Sequence, residues 1–137
     1  MNVPLEVLEP LHRFCACYIT GVIWFVQLVQ YPMLHQTREE DHPSAHQEYT
    51  RRMGLVVGPV MLLELALQIY WVATTPDARS VAGGVLLFII WASTIFLQVP
   101  CHQDLEKHYD PESHNELVRS NWIRTFAWTA RALLLSI

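Results

Sequence analysis

Gln30-Tyr31-Pro32-Met33-Leu34-His35-Gln36, followed by His42-Pro43-Ser44-Ala45-His46-Gln47-Glu48-Tyr49-Thr50-Arg51, has a counterpart later in the chain. The counterpart reads Gln98-Val99-Pro100-Cys101-His102-Gln103, then Asp110-Pro111-Glu112-Ser113-His114-Asn115-Glu116-Leu117-Val118-Arg119. A single offset of 68 relates Gln30 to Gln98, Pro32 to Pro100, Pro43 to Pro111, His46 to His114, Glu48 to Glu116 and Arg51 to Arg119. His35-Gln36 and His102-Gln103 match at 67, so one residue is dropped and later restored. A period this long predicts a duplicated helical hairpin. The expected repeats are 11–75 and 79–137, within one domain spanning 1–137.

Composition sets the medium. The 137 residues are 52% apolar and 16% charged, below the roughly 25% charged residues of soluble domains. Mean hydropathy is only +0.20, because apolar stretches alternate with polar loops. Most of the charge falls in 35–52 and 101–124. Four spans of close to the ~20 residues that cross a bilayer are expected at 11–34, 53–74, 80–99 and from 121 onward. The short link Thr75-Pro76-Asp77-Ala78-Arg79 makes its two helices antiparallel neighbours. The expected fold is therefore all-α: a four-transmembrane-helix bundle running up-down-up-down.

Asp110-Pro111-Glu112 combines an N-cap, a first-turn proline and an early acid. His42-Pro43-Ser44 is its equivalent, with Pro43 expected to leave His42 outside the helix. Pro59 should kink the second span, and Gly83-Gly84 should allow close backbone approach. The opening Met1-Asn2-Val3-Pro4-Leu5-Glu6 lacks the basic region of a cleavable signal. Cys15, Cys17 and Cys101 form neither a zinc knuckle nor a CxxC pair. The net charge of −4 argues against a nucleic-acid partner.

At 100° per residue the polar groups of each span collect on one face. The stripes are Arg13, Thr20, Trp24, Gln27 and Tyr31; His46, Thr50, Met53, Val57, Val60 and Glu64; Trp91, Thr94 and Gln98; and His114, Val118, Asn121, Thr125 and Trp128. Lipid rejects polar faces, so these point inward and outline a cavity opening toward the histidines. His35, His46, His102 and His114 then converge as metal ligands, with Glu48, Glu106 or Glu116 as a further ligand or proton acceptor. Imidazole and carboxylate suit iron, copper, zinc or manganese. Gln30, Gln98, Asn121 and Arg124 would orient a small hydrophobic substrate between Trp24 and Trp91. The alternative for Glu48 and Glu116 is ion pairing with Arg51 or Arg52 and with Arg119. Glu64 and Arg131 lie at similar depth, as an ion pair or as part of a proton relay.

Tyr31-Pro32 after the first span and Asn121-x-x-Arg124 near the start of the last resemble motifs of the anthrone oxygenase-like (DUF1772) family of small four-span proteins. The resemblance implies oxidation of an aromatic or polyketide-like molecule by dioxygen. Three functional classes follow from the residues and the resemblance. The first is a metal-dependent membrane oxidoreductase. The second is an accessory subunit of a larger membrane complex, or a homo-oligomer, with histidines holding haem or pigment, or holding nothing. The third is a proton or ion transporter. The excess of Arg and Lys at the histidine end predicts a cytoplasmic location for that end, in a bacterial inner membrane.

Overall fold

A computed structural model describes residues 5–137. Residues 1–4, which open the segment read against a signal peptide, lie outside the described residues. The chain is all-helical, with no strand among the described residues, and forms four helices. Helix α1 runs Leu5–Phe25, passes through a π-helical turn at Val26–Gln30 and continues as Tyr31–His35. Helix α2 is His42–Thr74. Helix α3 runs Ala78–Ser93, through a second π turn at Thr94–Gln98, into Val99–Leu105. Helix α4 is Pro111–Ser136.

Three helices, Glu6–His35, His42–Thr74 and Ala78–Leu105, are long and apolar enough to cross a membrane. Their outer faces carry exposed Phe14, Leu28, Leu55, Leu62, Phe88 and Phe96, a surface suited to lipid. The expected fourth span falls short of that apolarity. The reason lies in its inner face, where Asn121, Arg124, Thr125 and Arg131 are all buried. Its outer face still shows Ile123, Phe126 and Leu133.

Local signals explain most boundaries. Asp110 caps α4: its carboxylate accepts from the amides of Glu112 at 3.3 Å and Ser113 at 2.9 Å. Asp77 caps α3 through the amide of Ser80 at 2.7 Å. His42, expected outside the helix, is instead the first residue of α2. A first-turn proline lacks only an amide hydrogen that has no intrahelical partner there, so Pro43 does not exclude its neighbour. Helix α2 also continues through Pro59.

The π turns are the main departure from the expected geometry. In each, the following amide bonds five residues back, Tyr31 to Val26 and Val99 to Thr94. The two turns are themselves related by the offset of 68. Pro32 and Pro100 account for their position. A proline ring crowds the carbonyl four residues earlier and offers no hydrogen to it. Those carbonyls belong to Leu28 and Phe96, both inside the widened turns.

Each π turn inserts one residue, so the inward face shifts by one position across it. Counting back 18 residues from Tyr31, five ideal α turns, reaches Arg13. One inserted residue makes the count 19 and reaches His12. His12 is buried at 4% exposure, whereas the Arg13 side chain is 43% exposed. The same shift puts Ile23 and Ile90 in the core, in place of the expected Trp24 and Trp91. Helices α2 and α4 have no π turn, and their stripes fall where 3.6-residue counting puts them.

All four helices meet at one buried polar node. Arg131 of α4 donates from Nε to Glu64 Oε1 of α2 at 2.8 Å. It donates from Nη1 to Gln68 Oε1 at 2.7 Å and to the Gly83 carbonyl of α3 at 2.6 Å. Its Nη2 lies 2.7 Å from His12 Nε2 of α1. Arginine has no acceptor, so His12 receives that bond on an unprotonated nitrogen. Trp128 Nε1 donates to the second Glu64 oxygen at 3.1 Å. A Cβ at Gly83 would stand 3.0 Å from Arg131 Nη1 and 3.1 Å from Gln68 Oε1, so the glycine sets the approach of α3.

Two measurements of thermal stability in detergent test this description. Deleting exposed Leu28 or Phe96 removes the inserted residue and keeps both halves of the helix in phase. Either deletion should be tolerated better than deletion of Val22, which rotates His12 away from Arg131. Separately, Arg131→Met strands a buried carboxylate and should cost about 3–5 kcal/mol. Adding Glu64→Leu should restore part of that loss; no recovery in the double variant would count against the pair.

Candidate functional site: a histidine cluster beside a cavity

Five imidazoles gather at the end of the bundle formed by the last turn of α1, the first turns of α2 and α4, and the distal part of α3. His42 and His46 stack with ring centroids 5.5 Å apart, one turn apart on α2. His35 and His114 stack at 5.1 Å. His42 lies edge-on to His114 at 5.9 Å and joins the two pairs. His46 Nε2 and His102 Nδ1 share a hydrogen bond of 2.8 Å. Tyr109 packs on His42 at 4.5 Å, and its hydroxyl meets His35 Nδ1 at 3.2 Å.

His42, His46 and His114 are buried. Four of their ring nitrogens, His42 Nδ1 and Nε2, His46 Nδ1 and His114 Nδ1, have no hydrogen-bond partner. Leaving a buried polar atom unpaired costs about 1–3 kcal/mol. Burial, reinforced by the neighbouring His35 and His42 rings, pushes the His114 imidazole down to about 4. It is therefore neutral at physiological pH, the form that ligates a metal.

The rings stack rather than aim at one point. Among the described residues no group of three or more His, Cys, Asp or Glu side chains is arranged to hold a metal ion. The His46–His102 separation is that of a hydrogen bond. Two nitrogens on a tetrahedral metal with bonds of about 2.0–2.1 Å stand roughly 3.3 Å apart.

The expected carboxylates are elsewhere. Glu48 is held by Arg51 and Arg52 at the exposed surface, at 2.8 and 2.6 Å. Glu116 pairs with Arg119 at 3.2 Å, also exposed. Glu106 closes the C-terminal end of α3. A residue two positions from a buried histidine projects to another side of its helix, which is why Glu48 and Glu116 miss the cluster.

A cavity of about 250 Å³ begins at Tyr49 and His102 and reaches Met61 and Trp128. Its walls are largely apolar, with Tyr31, Gln98 and Arg124 on the polar side. Gln98 is buried; it accepts from Tyr31 at 3.3 Å and Arg124 at 3.2 Å and donates to Ser120 Oγ at 2.8 Å. Asn121 donates to Gln27 Oε1 at 2.7 Å. Gln30, the repeat partner of Gln98, is only half-buried, and Gln27 inside the π turn takes the inward position. Neither expected tryptophan lines this cavity. Trp24 bonds Thr129 and packs on Trp122, while Trp91 lines a separate groove between α2 and α3. The tryptophan of the cavity is Trp128.

Sequence reasoning passed over His42, Tyr49, Tyr109 and His12 as site residues. The usable signals were Pro32 and Pro100, each four residues after an apolar position in mid-span, which mark where helical phase slips. Compared with known proteins, the chain matches no protein-family model, no curated protein and no solved structure.

The Asp110 cap holds the first turn that carries His114. Its bonds to Ser113 and to the Glu112 amide keep the carboxyl below its ordinary 3.8. A depressed folded-state value means that the stabilisation is present above the unfolded value and is lost as pH falls through the folded one. Asp110→Ala should lower the melting temperature at neutral pH. The difference from wild type should shrink once the pH drops below the ordinary aspartate range; a gap that widens there would refute the cap.

Proposed function

We propose that the chain is a small integral-membrane oxidoreductase, oxygenase-like, with a metal at the histidine end acting on a small apolar or aromatic molecule. The observation that carries this reading is the set of four unpartnered ring nitrogens on His42, His46 and His114. Neutral imidazole donors suit iron, copper or zinc, and metal binding would require the stacked rings to rotate about their side-chain torsions toward one ion. His35 and His102 stand beside them as further ligands or as partners that orient the ring nitrogens. A redox metal there would supply the dioxygen chemistry. Gln98 and Arg124 then hold the polar end of the substrate in the adjoining cavity.

The same reading takes all four helices as spans that alternate in direction and descend from a duplicated hairpin. The π turns at Val26–Gln30 and Thr94–Gln98, which share the repeat's offset of 68, support it. The inner membrane, with the histidines on the cytoplasmic side, remains the expected setting. Transport through Glu64 has less support, because both its oxygens are engaged. The resemblance to the anthrone oxygenase-like family belongs to this proposal and rests on its two short motifs.

Elemental analysis of protein purified without chelator should find metal bound. His42→Ala combined with His114→Ala should weaken metal affinity about tenfold or more while the protein stays monodisperse. Background metal in the wild type, or undiminished metal in the double variant, would sink the proposal.

A further inference from the structure

Among the described residues the interior of the bundle holds two guanidiniums, Arg124 and Arg131, and a single carboxylate, Glu64. Glu64 is committed to Arg131. Arg124 has no carboxylate within ion-pair distance among the described residues. Its contacts are Gln98 Oε1 at 3.2 Å and the face of Trp128, 5.2 Å from the ring centroid. Its Nε is buried without a partner, although the residue is only 9% exposed. A buried ion carries a desolvation penalty of several kcal/mol, and one neutral acceptor with a π face offsets only part of it. Arg124 also faces a cavity whose apolar walls include Ile19, Val22, Val57 and Met61.

We infer that this cavity binds a small amphiphile with one carboxylate, its head on Arg124 and its tail among those apolar side chains. One negative charge balances one uncompensated guanidinium, whereas a phosphate dianion would leave an excess. The planar guanidinium fork matches a carboxylate. At about 250 Å³ the cavity lies below the usual 300–1,000 Å³ of drug-sized sites, so the ligand is short. A membrane-derived fatty acid and a soluble short acid share this chemistry. The inference depends on the proposed function only for calling the ligand a substrate.

The test is calorimetry on the full chain in phosphatidylcholine nanodiscs, against empty nanodiscs, with octanoate, its uncharged isostere octanamide, and acetate. A charge-assisted head-group contact predicts about tenfold tighter binding of octanoate than octanamide. Acetate, lacking a tail, should bind weakest; acetate binding as tightly as octanoate overturns the amphiphile and leaves a soluble short acid. Arg124→Gln should erase the octanoate preference. Val57→Trp, which fills the cavity and leaves the arginine, should weaken octanoate binding while sparing acetate. Equal binding of octanoate and octanamide by the wild type overturns the inference whether or not the arginine variant folds. So does a preference that survives Arg124→Gln. The titrations are repeated with EDTA. A preference that disappears with the metal overturns Arg124 as the anchor, and one that persists stands even if the metal proposal fails.

Discussion

The buried pair of Glu64 and Arg131 constrains everything around it. Two charges at zero exposure are tolerable only when each polar atom is answered, because a lone one would be among the costliest groups in the interior. Answering them takes Gln68 from α2, Trp128 from α4, the Gly83 carbonyl from α3 and His12 from α1. The node therefore fixes the rotation of all four helices at one end. Gly83 fixes the separation as well, since a side chain there would meet the guanidinium.

The histidines at the other end are the opposite case. The node leaves no donor or acceptor idle, whereas the cluster leaves four ring nitrogens idle in a comparably buried setting. Between them lies the cavity, bounded by Trp128 on the side of the node and by Tyr49 and His102 on the side of the cluster. Stability is concentrated at one end and unsatisfied bonding capacity at the other. That division is common where a rigid scaffold positions a site, since groups kept for binding are held at some expense in stability.

Two π turns connect these ends. Each widens the helix where Pro32 or Pro100 would otherwise crowd a carbonyl, and each rotates one half of its helix relative to the other. In α1 the rotation brings His12 to Arg131 while keeping Tyr31 beside Gln98. An uninterrupted α-helix could satisfy one of those contacts with its present sequence and would miss the other.

The all-helical character, three of the apolar helices, the cap at Asp110 and the pairing of Glu64 with Arg131 were legible in the residue order. They depend on local chemistry or on a plain 3.6-residue count in helices that hold that period. The gathering of histidines at one end was legible for the same reason, and so was the alternative that Glu48 and Glu116 pair with nearby arginines. Tertiary structure alone decided what lay across a phase change: His12 over Arg13, Ile23 over Trp24, and Ile90 over Trp91. It also decided that His42 is inside, because burial at a helix start depends on what packs over it, here Tyr109 and His114. Sequence by itself determined which chemical groups the bundle contains and which end of it they occupy. Only packing determined which nitrogens, oxygens and guanidiniums are left without a partner, since that depends on groups brought together from helices far apart in the chain.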